Sequence, residues 1–234
     1  MEIAGKKAIV FGGTSGIGLA AARQLAEAGA EVIAISRNPD QAGEPPAGVT
    51  FKQCDVRDEA ALQALFEQCA PYDILISAAT GGDRAIGPFL DMDMQGFRAS
   101  FDKMWGYANV VRYGTQHLHE AGNIVLVSGA PARKTKPGQV AIGAVGGAVE
   151  NFVRTVAKEI APRRLNVVAP GQIDTPMVGL EGEARTTFYG KTTAGHVIPR
   201  AGTADEVAQA IVFMVQNEFV TGTTIDVDGG WLIA

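Results

Sequence analysis

A single doubly wound α/β domain, a parallel sheet with helices on both faces, is predicted by three features of the sequence. Short, continuously apolar runs alternate from end to end with segments of helical spacing, the signature of strands buried on both faces and the crossovers between them. The first run, Lys7–Phe11, empties into the glycine-rich turn Gly12-Gly13-Thr14-Ser15-Gly16-Ile17-Gly18, which opens a helix. No internal repeat accompanies the alternation, so the units form one wound sheet spanning 1–234, a length that fits one domain.

The elements follow in order. Glu31–Ser36 reads as the second strand, and a loop through Pro45-Pro46 leads to a third at Val49–Gln53. Asp58 is a helix cap, because its carboxylate suits the free N–H groups of the following turn. The helix Glu59–Cys69 then shows Leu62, Leu65 and Phe66 at helical spacing. Asp73–Ser77 is a central strand, a helix contains Phe97–His119, and Asn123–Val127 is the next strand. A long helix spans about Gln139–Ile160 before the strand Leu165–Ala169. Thr203 and Glu206 have capping-box spacing for the last helix, and Ile225–Val227 closes the sheet.

Hydrophobic residues make up 47% and charged residues 19%, which excludes a disordered or highly solvated chain. The net charge of −5, without any Lys/Arg-rich run, argues against nucleic acid or an anionic membrane as partner. Small molecules or copies of the chain itself are the expected partners. No segment reads as a signal peptide or as apolar enough to span a bilayer, so the expected location is the cytoplasm. Cys54 and Cys69 form no redox or disulfide pattern and read as buried thiols. His117 and His119 stand two apart on an expected helix and point in different directions, so no metal site is expected.

The glycine turn carries chemistry. Glycines let the backbone turn tightly and approach a pyrophosphate, while unspent N–H groups and the positive helix end, about half a charge, face the anion. Gly12, Thr14, Ser15, Gly16, Ile17 and Gly18 are therefore expected to hold a dinucleotide. An ordinary strand-to-helix turn is the alternative reading of the same glycines.

With these motifs in place, the chain resembles the short-chain dehydrogenase/reductase family over essentially its full length, which implies a Rossmann-type fold. Gly12, Gly16 and Gly18 match the family's cofactor loop, with Phe11 where a threonine usually stands. Asp55-Val56 is similar to the pair beside the adenine, and Asp73–Thr80 to the central strand, with both asparagines and the glycine of its ending changed. Pro170–Met177 is similar to the segment around the nicotinamide, and Thr221-Gly222 through Asp228-Gly229-Gly230 to the C-terminal signature. The resemblance implies cofactor contacts from Asp55, Val56, Ser77, Ala78, Ala79, Pro170, Gly171, Ile173 and Thr175. It also implies a homodimer or homotetramer, a lid at about 175–200, and a substrate pocket lined by that lid and the loop at 81–96.

Cofactor choice is read at the end of the second strand, where an acidic residue would bind both ribose hydroxyls of NAD. Here Ser36-Arg37 offers donors to a 2′-phosphate, so NADP(H) is expected over NAD(H), unless Arg37 is a solvated loop charge.

The catalytic pattern departs from the family. The resemblance puts Gly129, Ile142 and Gly146 at the family's serine, tyrosine and lysine positions, and Lys103 where an asparagine usually stands. A one-residue shift would make Ser128 the serine equivalent. Tyr107, Tyr113 and Tyr189 read as packing or surface residues. Lys103 is expected to fill the space left at Gly146 and reach ribose or substrate, with a solvated helix lysine as the alternative. Glycines 143, 146 and 147 weaken their helix and call for close approach by a neighbouring side chain or a second subunit. The expected function is an atypical NADP(H)-dependent oxidoreductase acting on a small molecule. A catalytically inactive NADP(H)-binding sensor or assembly protein, and an isomerase or lyase, stand as alternatives.

Overall fold

The structure, a computed structural model, describes residues 1–80 and 84–234. Residues 81–83 of the expected substrate loop lie outside the described residues. Among the described residues the chain runs β1 (Lys7–Phe11), α1 (Gly16–Glu27), β2 (Glu31–Ser36), β3 (Val49–Gln53), α2 (Glu59–Cys69), β4 (Tyr72–Ser77), α3 (Met94–Ser100), α4 (Asp102–Gly114) and β5 (Leu118–Val127). It continues through α5 (Val140–Glu159), β6 (Arg164–Pro170), β7 (Ile173–Asp174), α6 (Gly182–Thr193), β8 (Gly202–Thr203), α7 (Ala204–Gln216) and β9 (Thr224–Val227).

All pairings in the main sheet are parallel, in the order β3-β2-β1-β4-β5-β6-β9, while β7 and β8 pair separately. Side chains alternate across the strands, and both faces are buried. Ile9, Phe11, Leu75, Ile124 and Leu126 pack with α2, α4 and α5 on one side. Ala8, Val10, Ile74, Ile76 and Val125 pack with α1 and α7 on the other. This two-sided burial explains why the strands read as unbroken apolar runs. The order reverses beside β1, where β2 and β4 leave in opposite directions, and such a switch point opens a crevice at the carboxyl ends of the strands.

The caps form as expected. The Asp58 carboxylate accepts from Ala61 N at 3.0 Å, and Thr203 and Glu206 complete the reciprocal box of α7.

Two expectations are corrected. The helix expected to contain Phe97–His119 is two helices that meet at Phe101, and it ends at Gly114. Asp93 starts α3 by accepting from Gln95 N and Gly96 N. A Cβ on Gly114 would lie 2.5 Å from Leu75 Cδ2, so α4 ends where the chain descends onto β4. Leu118 pairs with Tyr72 and the register then shifts to Asn123 opposite Ile74, which places His119 in β5. The second correction concerns α5, which by length and composition is apolar enough to cross a membrane. Its apolarity has a source in the fold, because Ala141, Val145, Val149, Val153 and Ala157 are buried inside the domain.

Candidate functional site

Strand register builds the floor of the site. Phe11 lies between Ile35 and Ser77, so the three chains leave the sheet side by side. Gly12 N donates to Ile35 O at 2.8 Å, and Ala78 N donates to Phe11 O at 2.9 Å. Gly12 has φ +70°, and a Cβ there would lie 2.8 Å from both Ala78 C and Ala79 N. A Cβ on Gly18 would lie 2.1 Å from Gly12 O. These two glycines are required by the chain's own crossing. Gly16, at φ +50°, instead has room, a Cβ there making only ordinary contact with Thr175 at 3.6 Å.

Ser15 begins α1 without a side-chain cap, and the first helical bond runs from Leu19 N to Ser15 O. The amides of Gly16, Ile17 and Gly18 are therefore the unspent donors that every helix start carries.

They face a cleft of about 740 Å³ that crosses the ends of β1, β4, β5 and β6 toward the segment after β6. The cleft is lined by Gly12, Thr14, Ser15, Gly16, Ile17 and Gly18 of the turn, and by Ser36, Arg37, Asp55 and Val56 at one end. Ala78, Ala79, Pro170, Gly171, Ile173 and Thr175 line it further on, followed by Lys103, Ser128, Gly129, Ile142 and Gly146. Ser77 does not line the cleft. Its side chain is fully buried under the sheet's end and its hydroxyl has no partner among the described residues, because the register sends residue 77 into the fold.

At the end beyond β2, the buried Ser36 hydroxyl has no partner among the described residues. Gln53 Nε2 holds the Arg37 carbonyl at 2.8 Å. Asp55 is gripped by Arg57, with Nε to Oδ1 at 3.1 Å and Nη2 to Oδ2 at 2.8 Å, while Arg57 Nη1 also reaches Asp102 at 3.1 Å. The Arg57 hydrogen bonds hold the Asp55 carboxyl below its usual range. The acidic group at this end is thus already neutralised.

The other end is cationic. Lys103 Nζ, on α4, donates to Ser128 O at 3.2 Å and lies 5.5 Å from the centre of the Tyr107 ring. Burial, and secondarily the charge of Arg84, push its ammonium down to about 7. Ser128 Oγ donates to Gly146 O at 3.2 Å. Among the described residues no tyrosine, histidine or glutamate lines the cleft. Tyr107 is buried with its hydroxyl donating to Val127 O at 2.8 Å, Tyr113 meets Glu59, and Tyr189, on α6, is buried with its hydroxyl donating to Ile173 O at 3.3 Å.

The helix glycines are explained largely from within the chain. A Cβ on Gly146 would lie 2.9 Å from Ala132 Cβ, and one on Gly143 would lie 2.6 Å from Thr135 Cγ2, so the segment after β5 is laid directly on α5. Gly147 has nothing within 4 Å.

The segment expected as a lid holds a short turn at Pro176–Val178 and then α6, with Pro176, Met177, Val178 and Phe188 against the cleft. Arg185 ties it down through Asp174 and the Thr175 carbonyl. Arg84, which also lines the cleft, is absent from the residues singled out in the sequence. It sits in an irregular loop, where no periodicity marks which side chain turns inward.

Comparison with known proteins agrees with this architecture. The family profile described as "Enoyl-(Acyl carrier protein) reductase" matches residues 12–232. Carbonyl reductase family member 4 of Danio rerio is 32% identical, with 95% of this chain and 96% of that protein covered. Cis-4-hydroxycyclohexanecarboxylate dehydrogenase of Sinomonas cyclohexanicum is also 32% identical, covering 96% of this chain and 95% of that one. A crystal structure described as a small-chain dehydrogenase in complex with NADPH superposes with a TM-score of 0.86 at 32% identity, covering 98% of this chain and 99% of the other. With its parallel sheet, its glycine turn at the switch point and these relatives, the chain belongs to the short-chain dehydrogenase/reductase family of oxidoreductases.

Proposed function

We propose that this chain is an NADP(H)-dependent oxidoreductase of a small carbonyl, enone or imine compound, with Lys103 handling the proton in place of the family's tyrosine and lysine. The observation that carries the reading is one cleft joining an uncapped helix start to a half-buried lysine. The residues present fit a dinucleotide. The amides of Gly16, Ile17 and Gly18 suit its diphosphate, and the unpartnered Ser36 hydroxyl with Arg37 suits a ribose phosphate. Two charge-assisted bonds there, each worth about 1.5–3 kcal/mol, amount to at least a tenfold preference over the unphosphorylated nucleotide. The related crystal structure with NADPH supports the same assignment.

A bound nicotinamide supplies a hydride donor or acceptor. The chain's part is to exclude water with Phe188, Met177 and Ile142, and to hold a proton at Lys103 Nζ beside Ser128 and Gly129. An ammonium that titrates near neutrality can give that proton to a developing alkoxide and regain it. On this reading Gly129, Ile142 and Gly146 replace the usual serine, tyrosine and lysine, and the proton-handling group enters from α4 instead of α5.

Turnover tests the reading. NADPH oxidation with a panel of ketones, enones and imines is expected to find a substrate, and Lys103→Met is expected to lower kcat by about 10²–10³ with NADPH affinity retained. NADPH binding with no turnover across the panel, or a fully active Lys103→Met, contradicts it.

A further inference from the structure

Charge is distributed unevenly along the cleft. Asp55 is the only carboxylate that lines it among the described residues, and Arg57 occupies both of its oxygens at the far end. At the reacting end stand Lys103 and Arg84, and among the described residues neither is ion-paired to a carboxylate. The facing part of α5 contributes Ile142, Val145 and Gly146, and the chain after β5 contributes Ser128, Gly129 and Pro131, so neither brings a compensating charge. Tyr107, on the same helix as Lys103, has its hydroxyl committed to Val127 O. Arg84 is exposed at the cleft wall, where its fork of donors is open to an arriving molecule.

We infer that Arg84 and Lys103 form an anion subsite, and that the substrate is a carbonyl compound carrying a carboxylate or phosphate close to the reacting carbon. Two cations sharing a cleft repel each other, and an anion between them converts that repulsion into two charge-assisted contacts. Arg84 takes the anionic group, in the bidentate geometry that guanidinium favours. Lys103, close to the same charge, regains its proton and keeps it available for the adjacent carbonyl oxygen. The depression of the Lys103 ammonium by burial and by Arg84 fits this arrangement, because the ligand supplies what the empty pair lacks. The inference rests on the proposed oxidoreductase reading for the placement of the carbonyl, but not for the anion itself.

Calorimetry on the NADPH-saturated protein tests it, with 3-oxobutanoate and dihydroxyacetone phosphate as anionic probes and methyl 3-oxobutanoate and dihydroxyacetone as their neutral counterparts. At least one anionic probe is expected to bind about tenfold or more tightly than its neutral counterpart, and which one does so separates a carboxylate from a phosphate ligand. Near pH 8, in two buffers of different ionisation enthalpy, binding is expected to take up as much as about one proton, and Lys103→Met abolishes the uptake. Arg84→Gln is expected to weaken anion binding about tenfold, and Arg84→Lys to restore part of it. Equal affinity for charged and neutral probes overturns the inference, as does anion binding unchanged in Arg84→Gln, or no binding by any probe at about 20 mM. Titration of the unliganded protein with NADPH is the separate arm: its failure removes the nucleotide reading, whereas its success with indifferent probes removes only the anion subsite.

Discussion

On the proposed reading, Lys103 concentrates the chemistry of the molecule in one side chain. Its place at the family's asparagine position is read from the sequence, but the space expected for it at Gly146 is taken by Ala132, and its ammonium reaches Ser128 O instead. Its state was not legible, since that depends on Arg84 and on burial by chain distant in sequence. Depressing an amine's pKa in the fold has a defined sign. Between about 7 and the ordinary lysine value near 10.4, the unfolded chain holds a proton that the folded chain lacks, so stability rises with pH across that window. Stability measured by urea unfolding from pH 6 to 9 is expected to climb more steeply in the wild type than in Lys103→Met, by up to about 1.4 kcal/mol per pH unit above 7. Parallel pH profiles would place the lysine in water. If Lys103 is the donor as proposed, reductive turnover is expected to fall as pH rises through about 7, because only the protonated form can give a proton.

At the scale of elements, strands and caps were written plainly, because two-sided burial leaves apolar runs and an uncapped N–H demands a particular side chain. The break between α3 and α4 was hidden. Phe97 and Phe101 stand four residues apart with ring centres 5.7 Å from each other, so the apolar period continues through the interruption. The glycines of α5 were legible as a packing signal but not in their detail. Gly146 lies under Ala132, whereas Gly147 faces open space. Alanine at 147 is therefore expected to stabilise the fold by about 0.8–1 kcal/mol through helix propensity. Alanine at 146 forces Ala132 to move and costs about 1–3 kcal/mol. Chemical denaturation of the two variants checks this, and equal effects would mean that the segment after β5 does not rest on α5. A lysine at 146 meets the same obstruction at its Cβ.

For the whole molecule, sheet order decides where binding takes place. The reversal beside β1 brings the glycine turn, the end of β2 and the chain after β6 around one cleft, although the last is more than a hundred residues from the other two in sequence. That convergence was legible because βα alternation admits few topologies. The charge arrangement inside the cleft was not, since Arg84 comes from an irregular loop. Ligand linkage extends to the entire fold. NADPH at about a hundred times its dissociation constant is expected to stabilise the protein by about 2.7 kcal/mol, seen as a raised melting temperature. Arg37→Ala is expected to reduce the shift with NADPH and leave that with NADH unchanged. An equal loss with both nucleotides would mean that Arg37 does not contact a ribose phosphate.

The proposed activity depends most on the cleft accepting a nicotinamide dinucleotide through the glycine turn and the Ser36-Arg37 corner. Isothermal titration of the folded wild-type chain with NADPH and with NADH addresses that directly. It is expected to give one site per chain and at least about tenfold tighter binding of NADPH. No measurable heat or saturation with either nucleotide would contradict the account.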